Sequence, residues 1–262
     1  MKIAYFGFDL FYDCIEEIYN CGNEIVKIFT CKVDGVFETN SKIYEFARKH
    51  NVEITDSKVT ENDISELIDK GCDLLFSAGY YFKIPILSGM TGVNIHPALL
   101  PVGRGPWPQP LTILKGLSKT GVTLHVLAES FDSGEILHVR EFSVDENDNL
   151  LSLNGKYLDC ARKVTRDFLS CPTQYFERSV KQSDGEYWAE PNEQDMSFSL
   201  SDSYDRIDRV TRAFFGFGCF VYQGDVKKRI LKAVCSHDKP VTEEYSDLFE
   251  IDGGWLSIIK YA

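Results

Sequence analysis

The first 95 residues alternate short apolar runs with segments of helical periodicity, and this alternation constrains the fold more than any other feature. Residues 2–7, 25–29, 73–78 and 92–95 have the profile of buried parallel strands. Between them, Leu10, Cys14 and Ile18, then Ile43, Phe46 and Ala47, then Ile64, Leu67 and Ile68 recur at helical spacing. The third helix is entered through Thr60, with Glu61 and Asp63 suited to a helix N-terminus. Such alternation predicts right-handed βαβ units and a mostly parallel, Rossmann-like α/β sheet flanked by helices. A ligand site in such a sheet lies outside the carboxyl ends of the strands. Asn94 and His96 fall at one of those ends.

Beyond this region, residues 122–127 and 134–139 alternate polar and apolar and read as a strand pair that presents Asp132 in its connection. Residues 149–170 return to helical spacing. A composition shift at 185–191 precedes one helix (204–214) and strand-like segments near 217–222, 229–235, 246–251 and 255–260. The division expected is a main domain over 1–180 and a small β-rich domain over 188–262, with neither internal repeats nor low-complexity linkers.

The formal charge of −12 argues against a polynucleotide ligand, which calls for a basic face. Arg206, Arg209 and Arg212 form a helical stripe, but Asp202, Asp205 and Asp208 are interleaved with them, the pattern of a solvated, ion-paired face. Eight scattered cysteines show no zinc spacing, so no metal is expected, and unpaired thiols fit a reducing cytoplasm. The N-terminus reaches Asp9 too soon for a signal peptide, and no apolar run approaches the roughly 18 residues of a membrane span. Gly7 begins Gly-Phe-Asp-Leu-Phe-Tyr, which lacks the further glycines of a dinucleotide fingerprint.

The stretch with chemical content is Asn94-Ile95-His96-Pro97-Ala98-Leu99-Leu100-Pro101, followed by Gly103-Arg104-Gly105 and then Phe131-Asp132-Ser133-Gly134. An amide can donate to an oxyanion, an imidazole can donate or take a proton, and a carboxylate can orient that imidazole. Asn94, His96 and Asp132 supply one of each, a set suited to acyl transfer through a tetrahedral oxyanion. The remaining histidines (His50, His125, His138 and His237) have no comparable setting and read as structural.

The order and spacing of these segments resemble the N10-formyltetrahydrofolate-dependent formyltransferases, whose signature reads Asn-x-His-Pro-Ser-Leu-Leu-Pro and then Asp-x-Gly. The resemblance implies that Asn94 and His96 act on the oxyanion and the proton, with Asp132 orienting His96. It implies that the folate co-substrate is held by a loop containing Phe76, Ala78, Gly79, Tyr80, Tyr81, Phe82 and Ile84, and by Ser130 and Phe131. Gly79 would let the backbone approach a flat ring. Arg104 and Gly105 match the family's Arg-Gly, and the resemblance makes Arg104, Gly105 and Trp107 acceptor-binding residues, Arg104 through its forked donors. Ala98 departs from the signature's Ser, and Trp107 with prolines 106, 108 and 110 suggests an acceptor wall unlike that of the tRNA enzymes.

Within the family, the chain is most similar to the sugar N-formyltransferases, which act on nucleotide-linked amino sugars and belong to lipopolysaccharide or O-antigen biosynthesis. The C-terminal part resembles a shortened version of the methionyl-tRNA formyltransferase module, but it carries nine Lys/Arg against thirteen Asp/Glu from Trp188 onward. The alternatives are a methionyl-tRNA formyltransferase, a formyltetrahydrofolate hydrolase and a non-enzymatic folate-binding module. A homodimer is compatible with such a chain.

Overall fold

The computed structural model describes residues 1–35, 38–241 and 244–262. The chain opens with β1 (Lys2–Gly7), a short 3₁₀ turn at Asp9–Phe11, α1 (Tyr12–Asn20) and β2 (Glu24–Phe29). Next come α2 (Ser41–His50), β3 (Ile54–Thr55), α3 (Glu61–Asp69), β4 (Leu74–Ala78) and β5 (Gly92–His96). Thr60 and Asp63 start α3 as the sequence predicts: each side chain accepts the other's backbone N–H, a reciprocal capping box. At the start of α2 the capping residue is remote. Asp9 accepts from the backbone N–H groups of Lys42 and Ile43 and from the Thr39 and Ser41 hydroxyls.

The middle of the chain contributes β6 (Val102–Arg104), α4 (Pro108–Leu114), β7 (Lys119–Val126), β8 (Ile136–Ser143), α5 (Leu150–Ser170), α6 (Pro172–Glu177) and β9 (Glu186–Tyr187). Helix α4 was not expected from so proline-rich a stretch. Pro108 and Pro110 are tolerated because both lie in the first turn, where backbone N–H groups lack intrahelical partners anyway.

Seven strands form one sheet in the order β3-β2-β1-β4-β5-β7-β8. The run β3-β2-β1-β4-β5 is parallel, and β7 then pairs antiparallel with β5. This is the mostly parallel α/β sheet flanked by helices that the sequence predicts. Its interior strands are apolar nearly throughout: Tyr5, Phe6, Phe29 and Phe76 are fully buried, with Phe6 stacked on Phe29 at 4.7 Å. The carboxyl ends of β1, β4 and β5 lie at one edge, bringing Gly7, Ala78 and His96 to the same side.

The chain divides into two compact units. The first comprises Met1–Pro106, Gly121–Phe142 and Lys156–Tyr187. The second takes Trp188–Ala262 together with two earlier segments, Trp107–Thr120 and Ser143–Gly155. It holds β10 (Ser197–Ser199), α7 (Tyr204–Ala213), β11 (Cys219–Gln223), β12 (Val226–Ser236), β13 (Asp247–Ile251) and β14 (Gly254–Tyr261), with strand order β10-β11-β12-β14-β13. Ile207, Val210 and Phe214 on and after α7, with Val221, Leu256 and Ile258 from the sheet, are fully buried. On α7, Arg206 pairs with Asp202 and Arg212 with Asp208 as the interleaved charges predict, although the second pair is mostly buried rather than solvated. All eight cysteines are unpaired, and among the described residues no helix is long and apolar enough to cross a membrane.

Candidate active site

Asn94 and His96 lie two residues apart on β5 and therefore share a face of the sheet. The antiparallel register sets Asn94 opposite His125 and His96 opposite Thr123 on β7. Thr123 secures the turn that follows β5: its hydroxyl donates to Ala98 O (2.7 Å) and accepts from Leu100 N (3.1 Å). The signature's hydroxyl position is thus filled by a buried Ala98 that meets a hydroxyl from the neighbouring strand.

Asp132 arrives from the connection between β7 and β8. Its φ is +54°, a left-handed conformation that aspartate adopts more readily than most non-glycine residues. Gly134 two residues on is obligatory, because a Cβ there would lie 1.8 Å from Val126 O. The turn presents the carboxylate inward. Asp132 Oδ2 accepts from Gly105 N (3.0 Å), and Oδ1 lies 3.3 Å from His96 Nδ1 and 3.5 Å from His125 Nε2.

The cluster is buried except at one point. His96, His125 and Asp132 are each at most 9% exposed, while Asn94 is partly open. His96 Nε2 donates to Gly103 O at 2.7 Å, so each of its ring nitrogens faces an acceptor. Burial pushes His96 below the ordinary histidine range, against the opposing pull of Asp132 and the Gly103 carbonyl. For Asp132, burial alone would raise the carboxyl; chiefly the facing His96, with the Gly105 N–H, outweighs it and holds the group below the usual carboxylate range. The site therefore contains an anionic carboxylate beside an imidazole kept neutral, with two acceptors in place should that imidazole take a proton.

His125, which the sequence reading set aside as structural, lies within the cluster. Its Nδ1 donates to Val126 O (2.9 Å), which leaves Nε2 to accept from the Asn94 amide Nδ2 at 3.1 Å. That contact fixes which way the Asn94 amide points. Its second amide hydrogen and its Oδ1 have no protein partner among the described residues, and they belong to the one open group of the cluster. The other three histidines do have structural settings: His50 packs on Tyr19 and Phe46, His138 meets Asp167, and His237 stacks on Tyr204.

The loop after β4 divides by exposure. Phe76, Ala78, Tyr80 and Ile84 are buried, and the Tyr80 hydroxyl accepts from Val59 N (3.0 Å) within the core. Tyr81 is 49% exposed, its ring against Phe8 and its hydroxyl bonded to Glu38. Gly79 has φ +81°, which favours glycine whatever the space, and the position its missing Cβ would take is bounded by Phe11 and Phe8 at 3.1 and 3.3 Å. Phe82 and Gly79 are partly exposed, Ser130 is exposed, and Phe131 is 61% exposed.

Arg104 is engaged inside the protein. Its Nε and Nη2 donate to Gln182 Oε1 (3.0 and 2.7 Å), and Nη2 also donates to Ser183 O (3.2 Å). The fork expected to meet an acceptor's phosphate is thus spent on Gln182, with Nη1 as the remaining nitrogen. Trp107 lies in the second unit, half-buried and edge-on to Phe217 and Phe214 at 4.7 and 5.9 Å. Among the described residues no group of three or more His, Cys, Asp or Glu side chains is arranged to hold a metal ion.

The chain is 34% identical over 191 residues to a methionyl-tRNA formyltransferase of Treponema denticola, covering 69% of this chain and 58% of that one. It is 27% identical over 236 residues to the Ehrlichia canis enzyme, covering 86% of this chain and 77% of that one. Among solved structures, WlaRD, a sugar 3N-formyl transferase crystallised with dTDP and 5-N-formyl-THF, superposes with a TM-score of 0.72 at 21% identity, covering 98% of this chain and 97% of that one. An N-formyltransferase from Helicobacter canadensis, in complex with folinic acid and dTDP-3-aminofucose, gives 0.74 at 18% identity with full coverage of both chains. The sequence pattern described as "Formyl transferase" matches residues 30–168, which span β5, His125 and Asp132. The chain belongs to the formyl transferase family.

Proposed function

We propose that the protein transfers the formyl group of N10-formyltetrahydrofolate to the amine of a nucleotide-linked amino sugar. The observation that carries the chemistry is the convergence of Asn94, His96 and Asp132, from two separated segments, on one largely buried cluster whose open group is an amide. In the reaction the acceptor amine attacks the formyl carbon and a C–N bond forms. The uncommitted amide hydrogen of Asn94 donates to the oxyanion that develops. His96 first shifts its ring proton to Nδ1, against Asp132, which frees Nε2 from Gly103 O to take the ammonium proton, and Asp132 stabilises the resulting imidazolium. Collapse of the tetrahedral species breaks the bond to N10 of the folate, which leaves with a proton. The exposed rings of Tyr81 and Phe131, with Phe82, Ser130 and the backbone about Gly79, are the surfaces offered to the folate, while Phe76, Ala78, Tyr80 and Ile84 hold that loop from beneath.

Two facts support a sugar acceptor. Two solved structures that superpose on nearly the whole chain, at TM-scores of 0.72 and 0.74, are a sugar 3N-formyl transferase and an N-formyltransferase in complex with dTDP-3-aminofucose. The chain's charge of −12 also leaves little to hold a polynucleotide, whereas a small anion needs only a few local donors. The sequence relatives favour a second reading, methionyl-tRNA. Incubating the protein and the formyl donor with a panel of UDP- and dTDP-linked amino-dideoxy sugars, read by mass spectrometry, separates the two. A gain of one formyl group on one sugar supports the proposal. Formylation of charged initiator tRNA with steep salt dependence, and of no sugar, replaces it.

A further inference from the structure

Gln182 lies outside every segment in which the sequence suggested chemistry, yet all four hydrogen-bonding capacities of its amide are used around the site. Its Nε2 donates to Asp132 O (2.9 Å) and Gly134 O (2.6 Å), and its Oε1 accepts from Arg104 Nε and Nη2. The orientation of the amide is unambiguous, because the flipped form would set NH₂ against a guanidinium and oxygen against two carbonyls.

These bonds complete a ring through the cluster. Gly103 and Gly105 flank Arg104; Gly103 O accepts from His96, and Gly105 N donates to Asp132 Oδ2. Asp132 Oδ1 in turn faces His96 Nδ1 at 3.3 Å. Gln182 is the link that ties the Arg104 loop to the backbone of Asp132, the residue at φ +54°. A residue held in that conformation needs its surroundings to over-determine it. Gln182 bonds the carbonyls on both sides of Ser133, and the isolated bridge between Ile136 and Val180 anchors the strand of chain from which it reaches.

We infer that Gln182 is a positioning residue, which clamps the Asp132 turn to the Arg104 loop and so sets the distance between Asp132 and His96. Arg104 serves the same end through its bidentate hold on Gln182 Oε1. The effect on turnover rests on the formyl-transfer reading, while the effect on His96 does not. Gln182→Met keeps the volume and removes all four bonds; Gln182→Glu keeps the Arg104 pair and turns an oxygen against the two carbonyls.

The test is the titration of His96 by NMR on histidine-labelled protein, in wild type and in both variants, together with kcat and KM for transfer. With the carboxylate no longer held at Nδ1, the His96 titration should move to lower pH by about 1 unit, within the range a nearby opposite charge exerts. For transfer, kcat should fall on the order of tenfold with little change in KM for the folate, and Gln182→Glu should not rescue it. His96 titrations that coincide in wild type and in whichever variants fold would overturn the assignment, and so would an unchanged kcat in an active enzyme. Should the wild type transfer no formyl group at all, the functional reading fails, and the His96 titration still decides the role of Gln182.

Discussion

His125 stands opposite Asn94 across the β5–β7 pair, with its Nε2 3.1 Å from the Asn94 amide nitrogen and 3.5 Å from Asp132 Oδ1. The ring is 1% exposed, its Nδ1 is committed to Val126 O and its Nε2 lone pair to the Asn94 amide, so it can only orient neighbours. His125→Leu should therefore lower kcat by about tenfold, less than the ~10²–10³ that loss of a direct oxyanion donor costs. Steady-state kinetics check this, and a variant with full turnover would reduce His125 to packing.

Asn94, His96 and Asp132 act on one transition state in this account, so their losses should overlap rather than multiply. Each single alanine variant should lose at least about 10²-fold in kcat. The double variant Asn94→Ala/Asp132→Ala should be little worse than the poorer single. Multiplicative losses in a double-mutant cycle would mean that the groups work independently.

The parallel sheet was legible because burial on both faces leaves β1, β2, β4 and β5 as apolar runs, and the Thr60–Asp63 cap announced α3. The trio Asn94, His96 and Asp132 was legible through its local context. His125 was hidden for a physical reason: the strand holding it was foreseen, but nothing in one sequence says that β7 returns antiparallel beside β5 in the register that opposes Asn94. Gln182 was hidden because its partners are backbone carbonyls, which leave no trace in residue type. Arg104 was read from its match to the family's Arg-Gly, and the residue that engages its fork lies 78 positions away.

The lowered His96 and Asp132 values both make the protein acid-sensitive. Below about pH 6.5 the unfolded chain protonates a histidine that the fold keeps neutral, so the unfolded state binds more protons and stability falls with pH. Asp132 adds a second loss of the same sign once pH drops below about 3.9, the unfolded carboxyl value, and on through its depressed folded value. Urea midpoints measured from pH 8 to pH 5 should decline for wild type, and His96→Gln should flatten the decline just below pH 6.5. Parallel curves for the two proteins would show that His96 does not carry it.

Asp9 replaces the side-chain cap that Asn40 does not supply to α2. Asp9→Ala should cost about 1–2 kcal/mol, the upper part of the range for a lost cap. The urea midpoint should fall with the slope unchanged. An unchanged midpoint would show that the Thr39, Ser41, Lys42 and Ile43 donors find other partners.

The central claim is that the cluster delivers a formyl group to an amine and not to water. The direct measurement follows the label of N10-[¹³C]formyltetrahydrofolate by NMR, with and without the amino-sugar nucleotide that the acceptor panel identifies. The account predicts label in the amide of the acceptor, strict dependence on that acceptor, and loss of transfer in Asn94→Ala. Label released as formate at the same rate whether or not an acceptor is present would contradict it and make the protein a hydrolase of the donor.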